Sequence, residues 1–118
     1  MANSFGIPPD IEHRLRVRDR KCVYCQRVMV KGRGYAFTAT IEHLESSNGR
    51  GTAPTYWGYG LERVGLEGLA MCCGRCNSSR GMKLLNAWFA SSYCQERDIN
   101  ARTVAPVVKR FLRRHPRG

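Results

Sequence analysis

Two Cys-x-x-Cys pairs constrain the fold of this chain more than any other feature of its sequence. Cys22 and Cys25 form the first pair, and Cys73 and Cys76 form the second. A tight turn in each pair can present both thiolates to one ion, and two such turns supply the four sulfur ligands of a structural zinc ion. The pairs therefore predict a zinc site that ties together the two ends of residues 26–72.

The other two cysteines leave alternatives open. Cys72 directly precedes Cys73 and could replace it as a ligand, and Cys94 could act as a ligand from outside the pairs. We interpret both as small buried side chains. Disulfide bonds are another use of six cysteines in a short chain, but the first residues lack the pattern of a signal peptide. The paired spacing therefore favours thiolates bound to metal.

The charge of the chain predicts an anionic partner. Its 118 residues carry 20 Lys+Arg against 9 Asp+Glu, which gives a formal net charge of +11. Most of these basic residues are arginine, whose planar guanidinium binds phosphate oxygens in a bidentate manner. Nucleic acid is the leading candidate partner. The simpler alternative is a basic protein of the ribosomal kind, which binds RNA without catalysis.

The length of the chain fits a single domain, residues 1–118. The sequence lacks the run of about 20 apolar residues that crosses a bilayer, so we expect no membrane partner and a cytoplasmic location. Hydrophobic periodicity and turn signals predict a series of elements along this domain. They are a basic helix that starts at Pro8-Pro9 and runs to about Arg20, strands over 35–41 and 66–71, a helical turn over 77–81, a helix over 84–93 and a helix from about Thr103.

The segment between the two predicted strands fits neither a helical nor an alternating pattern. Residues 45–60 are rich in Gly and Ser and later in aromatic residues. This composition is typical of a loop. Its aromatic part, residues 56–59, either contacts a substrate or covers the core.

Three residues placed around the cysteine pairs point to a family. Glu42 and His43 lie between the pairs, and Asn77 directly follows the second pair. In this order the sequence resembles the HNH endonuclease family, whose zinc-containing members have Cys-x-x-Cys, then Asp/Glu-His at a strand end, then Cys-x-x-Cys followed by His or Asn. The layout with Asn last is similar to phage junction-resolving nucleases of the endonuclease VII type. The ordered combination is specific, whereas each piece alone is a weak signal.

The resemblance implies an α+β fold. Its centre is a small ββα-metal core over about residues 11–85 that contains the four-cysteine zinc site. A basic N-terminal helix and two C-terminal helices, the latter over about residues 84–115, flank this core. A small free-standing nuclease of this kind suits a phage or mobile element acting in a host cytoplasm.

The resemblance also implies a reaction mechanism. His43 matches the general base, and Glu42 and Asn77 match the ligands of a catalytic Mg²⁺ or Mn²⁺ ion. A neutral imidazole, with an ordinary pKa of about 6.5, can accept the proton of an attacking water near physiological pH. Mg²⁺ prefers oxygen ligands, and it stabilises the charge that develops on a phosphate. The zinc and the catalytic ion are therefore expected at different sites.

The implied activity is hydrolysis of phosphodiester bonds in duplex or branched DNA, by nicking or by double-strand cleavage. Four basic residues flank the motif in sequence and are predicted to contact phosphates: Arg50, Arg75, Arg80 and Lys83. Such contacts hold the DNA backbone without reading bases, so we expect salt-dependent binding with weak sequence selectivity.

One departure from the family pattern keeps other functions open. The family usually has an Asn before the second cysteine pair that fixes the loop with the catalytic His, and residues 66–71 contain none. Asn48 or backbone contacts at Gly68 could brace the loop instead. A non-catalytic zinc ribbon that binds DNA or RNA is the main alternative, and an RNase or toxin on the same fold is a second one.

Overall fold

The computed structural model describes residues 9–32, 36–45, 66–116 and 118. Within these ranges a two-stranded antiparallel sheet is combined with several helices, which confirms a small α+β fold. The elements, in chain order, are α1 (Pro9–Arg18), β1 (Ala39–His43), a 3-10 helix (Leu66–Gly68), β2 (Leu69–Cys73), α2 (Gly74–Arg80), α3 (Leu85–Phe89), α4 (Ser92–Arg97) and α5 (Pro106–Arg114).

The sheet and α2 form one continuous unit. In the antiparallel register, Thr40 lies opposite Cys72 and His43 lies opposite Leu69. The helix α2 follows β2 without a linker, and the backbone N–H of Gly74 donates to Thr38 O over 2.9 Å. Because side chains alternate along a strand, β1 presents Thr40 and Glu42 to one side of the sheet and its other residues to the opposite side.

The strand β2 lies between two hydrophobic clusters, and all five of its residues are buried. The smaller cluster joins Leu69 and Met71 to Leu15 of α1 and Ile41 of β1. The larger cluster contains the buried cysteines and the apolar side chains of the C-terminal helices, with Trp88 among its largest members. A strand buried on both sides fits the continuous apolar sequence of residues 69–73.

The C-terminal region contains three helices, so the expectation of two was wrong. The single helix predicted over 84–93 is interrupted, because the side chain of Ser91 accepts a hydrogen bond from Cys94 N and caps the start of α4. The last helix begins at Pro106, whose fixed φ suits a first helical position. Thr103 is not its N-cap, since the Thr103 hydroxyl bonds to Asn100 instead.

Several other predicted boundaries shift by a few residues. The strand β1 begins at Ala39. The strand β2 begins at Leu69, because residues 66–68 form the 3-10 helix. The helix α2 begins at Gly74, earlier than the turn predicted over 77–81, and α1 ends at Arg18. Within the described ranges, no helix has both the length and the apolar character needed to cross a membrane.

Candidate functional site

The two cysteine pairs converge on one point. The Sγ atoms of Cys22, Cys25, Cys73 and Cys76 all lie within 4.8 Å of one another, and those of Cys25 and Cys73 are 3.8 Å apart. With zinc–sulfur bonds of about 2.3 Å, tetrahedral geometry places neighbouring sulfur atoms about 3.8 Å apart. The four thiols can therefore hold a metal ion such as zinc.

Of the two neighbouring cysteines, Cys73 belongs to the cluster and Cys72 does not. Cys72 is fully buried, and its Sγ lies 3.6 Å from Thr40 Oγ1 on the other side of β2. Cys94 is also buried, and neither thiol belongs to the cluster of four. Both residues act as small core side chains, as predicted.

The electrostatics of the cluster favour a bound cation. Hydrogen bonds from the Cys22 thiol lower the pKa of Cys25 and bring that of Cys73 to about 7. The pKa values of Cys22 and Cys76 are raised instead, because their thiols donate hydrogen bonds to neighbouring sulfur atoms. Four sulfur atoms this close cannot all ionise unless a positive charge lies among them, and a divalent metal ion supplies that charge.

One local and one long-range backbone hydrogen bond fix the first cysteine turn. Cys22 N donates to Arg27 O, and Val23 N donates to Met71 O of β2 over 3.2 Å. On the second pair, the hydroxyl of Tyr93 from α4 lies 3.2 Å from Cys76 Sγ. Contacts of this kind orient the groups that hold a metal.

A buried ion pair lies beside the predicted catalytic residues. The side chains of Glu42 and Arg80 are 7% and 1% exposed. Glu42 Oε2 accepts hydrogen bonds from Arg80 Nη1 over 3.1 Å and from the Tyr24 hydroxyl over 2.8 Å. Burial raises the pKa of Glu42, whereas Arg80 and Tyr24 act against that rise.

The structure corrects the predicted role of Arg80 as a phosphate contact. Its guanidinium also donates to His43 O over 3.1 Å, to Leu44 O over 2.8 Å and, from Nε, to Lys83 O over 2.9 Å. A side chain that is buried and bonded on all sides cannot also reach a DNA backbone. Arg80 instead fixes the end of β1 against α2.

His43 is the last residue of β1, and its backbone is braced from two sides. Arg80 binds the His43 carbonyl, and Leu44 N donates to Gly68 O over 3.1 Å. A backbone contact at Gly68, one of the two expected braces, is therefore present. Burial and the nearby Arg80 charge lower the pKa of the His43 imidazole to about 4.

Asn77 lies in α2 on the side that faces β1. Its Nδ2 donates to Thr40 Oγ1 over 3.0 Å, one helical turn before Arg80. The two side chains of β1 that face α2 thus have different partners, since Asn77 bonds Thr40 and Arg80 bonds Glu42. A divalent ion on Glu42 would meet the fixed positive charge of Arg80. In this arrangement, Glu42 and Asn77 do not fit a shared divalent ion.

The remaining predicted site residues stay predictions. Arg75 on α2 and Lys83 after it are exposed, and Lys83 Nζ donates to Ser79 O over 3.2 Å. Asn48, Arg50 and residues 56–59 lie outside the described residues.

The partnership of Tyr24, Glu42 and Arg80 was not predicted from the sequence. Tyr24 stands inside the first cysteine pair and Arg80 lies one helical turn beyond Asn77, so both had a position in the motif but no assigned partner. Knowing that the Glu42 carboxylate is buried in β1 would have indicated a partner, because a buried charge needs an opposite charge nearby. No protein-family model, curated protein or solved structure matches this chain.

Proposed function

We propose that this chain is a zinc-stabilised endonuclease of the HNH type that hydrolyses phosphodiester bonds in DNA, with His43 as the general base. The observation that carries the proposal is the unit of β1, β2 and α2. Four clustered thiols connect its β2–α2 junction to the cysteine turn that precedes β1, His43 terminates β1, and Asn77 on α2 bonds to Thr40 of the same strand. This is the ββα order that the motif predicts.

The imidazole of His43 is in its proton-accepting form at pH 7. Burial and the Arg80 charge lower its pKa to about 4, so the ring is neutral and can accept the proton that a water molecule loses as it attacks phosphorus, as a weaker base than an ordinary imidazole. The braced carbonyl of His43 limits movement of the strand end that bears the ring. Arg75 and Lys83, exposed on and after α2, are the cations that would hold the phosphates around the cleaved bond.

Among the described residues, the structure offers a suitable site for the expected zinc ion but not for the expected catalytic ion. Zinc would be held by the four thiols and would contribute folding free energy rather than chemistry. The carboxylate and amide oxygens of Glu42 and Asn77 are of the type that Mg²⁺ and Mn²⁺ prefer. Since the Glu42 carboxylate is already paired with Arg80, we assign no step to an ion at that place.

The proposal is tested by cleavage of supercoiled plasmid with zinc-loaded protein, with and without added Mg²⁺ or Mn²⁺. We expect nicked or linear product from the wild type and a loss of at least about 10²-fold for His43→Ala, the scale of general-base catalysis. His13→Ala, on the exposed side of α1, is the matched control and should cleave normally. Equal cleavage by the two variants would remove His43 from the mechanism.

A non-catalytic zinc module that binds nucleic acid is the second candidate function. The ion pair between Glu42 and Arg80 favours it, because that pair takes the carboxylate expected to bind a catalytic ion. In that case the folded, zinc-loaded wild type would bind DNA or RNA in a salt-dependent way and would cleave neither. Parallel assays with RNA and DNA also separate a DNase from an RNase.

A further inference from the structure

A cavity of about 500 Å³ lies away from His43, between the end of α1, the first cysteine turn and the start of α5. Its position follows from contacts to β2. Arg18 of the cavity wall donates to Leu69 O over 2.6 Å, and Val23 donates to Met71 O. These carbonyls belong to the edge of β2 that faces away from β1, so the cavity borders the strand next to the one that ends in His43.

The charge around the cavity is strongly positive. Arg18, Arg20, Lys21 and Arg110 line it, against the single carboxylate of Asp19. That carboxylate is nearly buried and is already bound, since Arg18 donates to both of its oxygens over 2.8 Å and Met71 N donates over 2.9 Å. An anion that enters the cavity therefore meets cations without a competing free carboxylate.

Two of the four cations are available to a ligand. Arg18 is engaged with Asp19 and with backbone carbonyls, and Arg110 is paired with Glu67. Arg20 and Lys21 are neighbours in the chain and exposed, and within the part of the chain that the structure describes no ion pair uses their side chains. A phosphate can bind Arg20 and Lys21 without first breaking an ion pair.

The wall behind these cations is apolar. Val23, Ala105 and Val107 line the cavity, and the two valines are buried in the main core. A cavity of this size is in the range that accommodates a small molecule or one unit of a polymer. Cations at the rim and an apolar wall match a nucleotide, whose phosphate is charged and whose sugar and base have apolar faces.

We propose that this cavity binds a phosphate and its attached nucleoside from the DNA strand that lies across His43. This inference rests on the proposed function for the identity of the polymer. Leu69, whose carbonyl binds Arg18, is the register partner of His43 across the sheet. A strand bound at His43 therefore needs to extend only past β2 to reach Arg20 and Lys21.

The test is DNA binding by the zinc-loaded full chain in a His43→Ala background without added divalent ions, so that cleavage cannot interfere. Arg20→Ala/Lys21→Ala is compared with the matched pair Lys31→Ala/Arg102→Ala, which removes one Lys and one Arg from exposed positions outside the cavity. We expect the cavity pair to weaken binding to a labelled oligonucleotide by about tenfold or more. Its slope of log K against log salt should fall by about 2, and the control should bind within about twofold of the parent.

Each result separates this inference from the proposed nuclease. Equal losses of DNA affinity in the two double variants, or no loss in the cavity variant, would overturn the inference. Neither result would change plasmid cleavage by the wild type. A selective loss in the cavity pair supports it even if the wild type cleaves nothing. Competition with thymidine monophosphate and inorganic phosphate tests whether the cavity binds DNA or a free small molecule. Binding of the free nucleotide at Arg20 and Lys21 without displacement of DNA would assign the cavity to a small ligand. Displacement by a Glu-rich peptide alone would reassign it to an acidic protein.

Discussion

The four-thiol cluster and the buried ion pair of Glu42 and Arg80 both involve β2 or α2, but only the cluster could be predicted from the sequence. The thiols stand at fixed short spacings, so each pair is brought together by local backbone geometry. Glu42 and Arg80 are far apart in the chain and meet only because α2 folds onto β1. A site formed by closely spaced residues can be predicted from the sequence, whereas an ion pair between distant residues is recognised only in the folded structure.

The largest expected effect is on the thiol side of this comparison. Cys73→Ser removes a ligand from the cluster, and we expect loss of bound metal and of the folded state, because zinc binding contributes on the order of 10 kcal/mol to small zinc domains. Cys72→Ala changes the adjacent buried residue outside the cluster and should cost only about 1–2 kcal/mol. Zinc content and thermal unfolding by circular dichroism measure both.

If Cys72→Ala lost the metal and Cys73→Ser kept it, the assignment of the fourth ligand would be reversed. If both variants stayed folded after metal removal, the cluster would contribute little to stability. The hydrophobic clusters around β2 would then be sufficient for folding by themselves.

A smaller effect is expected at the ion pair. Arg80→Met leaves the Glu42 carboxylate buried without its cation, which should lower the free energy of unfolding by about 3–5 kcal/mol. Adding Glu42→Leu removes the stranded charge, so the double variant should be less destabilised than the sum of the two single variants, with a coupling of about 1–3 kcal/mol. Urea unfolding of all four proteins gives this coupling.

A surface pair provides the contrast for that cycle. Arg16 and Glu12 are one helical turn apart on α1 and both are partly exposed, so Arg16→Met should cost no more than about 0.5 kcal/mol. Strictly additive losses at Glu42 and Arg80 would mean that the two side chains act independently, through the backbone carbonyls and the Tyr24 hydroxyl rather than through each other.

The family resemblance predicted the α+β class, and cysteine spacing and residue type predicted the cluster of four thiols with Cys73 and the buried state of Cys72 and Cys94. The sequence did not predict the interruption at Ser91, where a capping hydroxyl overrides a continuous apolar pattern. It also predicted a phosphate contact for Arg80, because this arginine flanks the motif in sequence. Its burial depends on Glu42 and on three backbone carbonyls that only the folded chain assembles.

His43 follows Glu42 at the end of β1, on the ion-pair side of this comparison, and its titration gives the smallest predicted effect. Its pKa falls from an ordinary value of 6.5 to about 4 in the folded protein, because of burial and the charge of Arg80. Between pH 4 and 6.5 the unfolded chain therefore binds more protons at this residue than the folded chain does. Stability from His43 is fully present above pH 6.5 and is lost as the pH falls toward 4.

The measurement is the difference in urea stability between wild type and His43→Gln across this pH range, because contributions from other groups, including the oppositely shifted Glu42, cancel in the difference. We expect an advantage for the wild type at pH 7 relative to pH 4.5 of the order of 1 kcal/mol, since the imidazole is only partly buried and water screens its interactions. In an Arg80→Met background the difference should shrink but not vanish, because burial is the larger cause of the shift. A complete loss there would make the Arg80 charge, rather than burial, the dominant influence on His43.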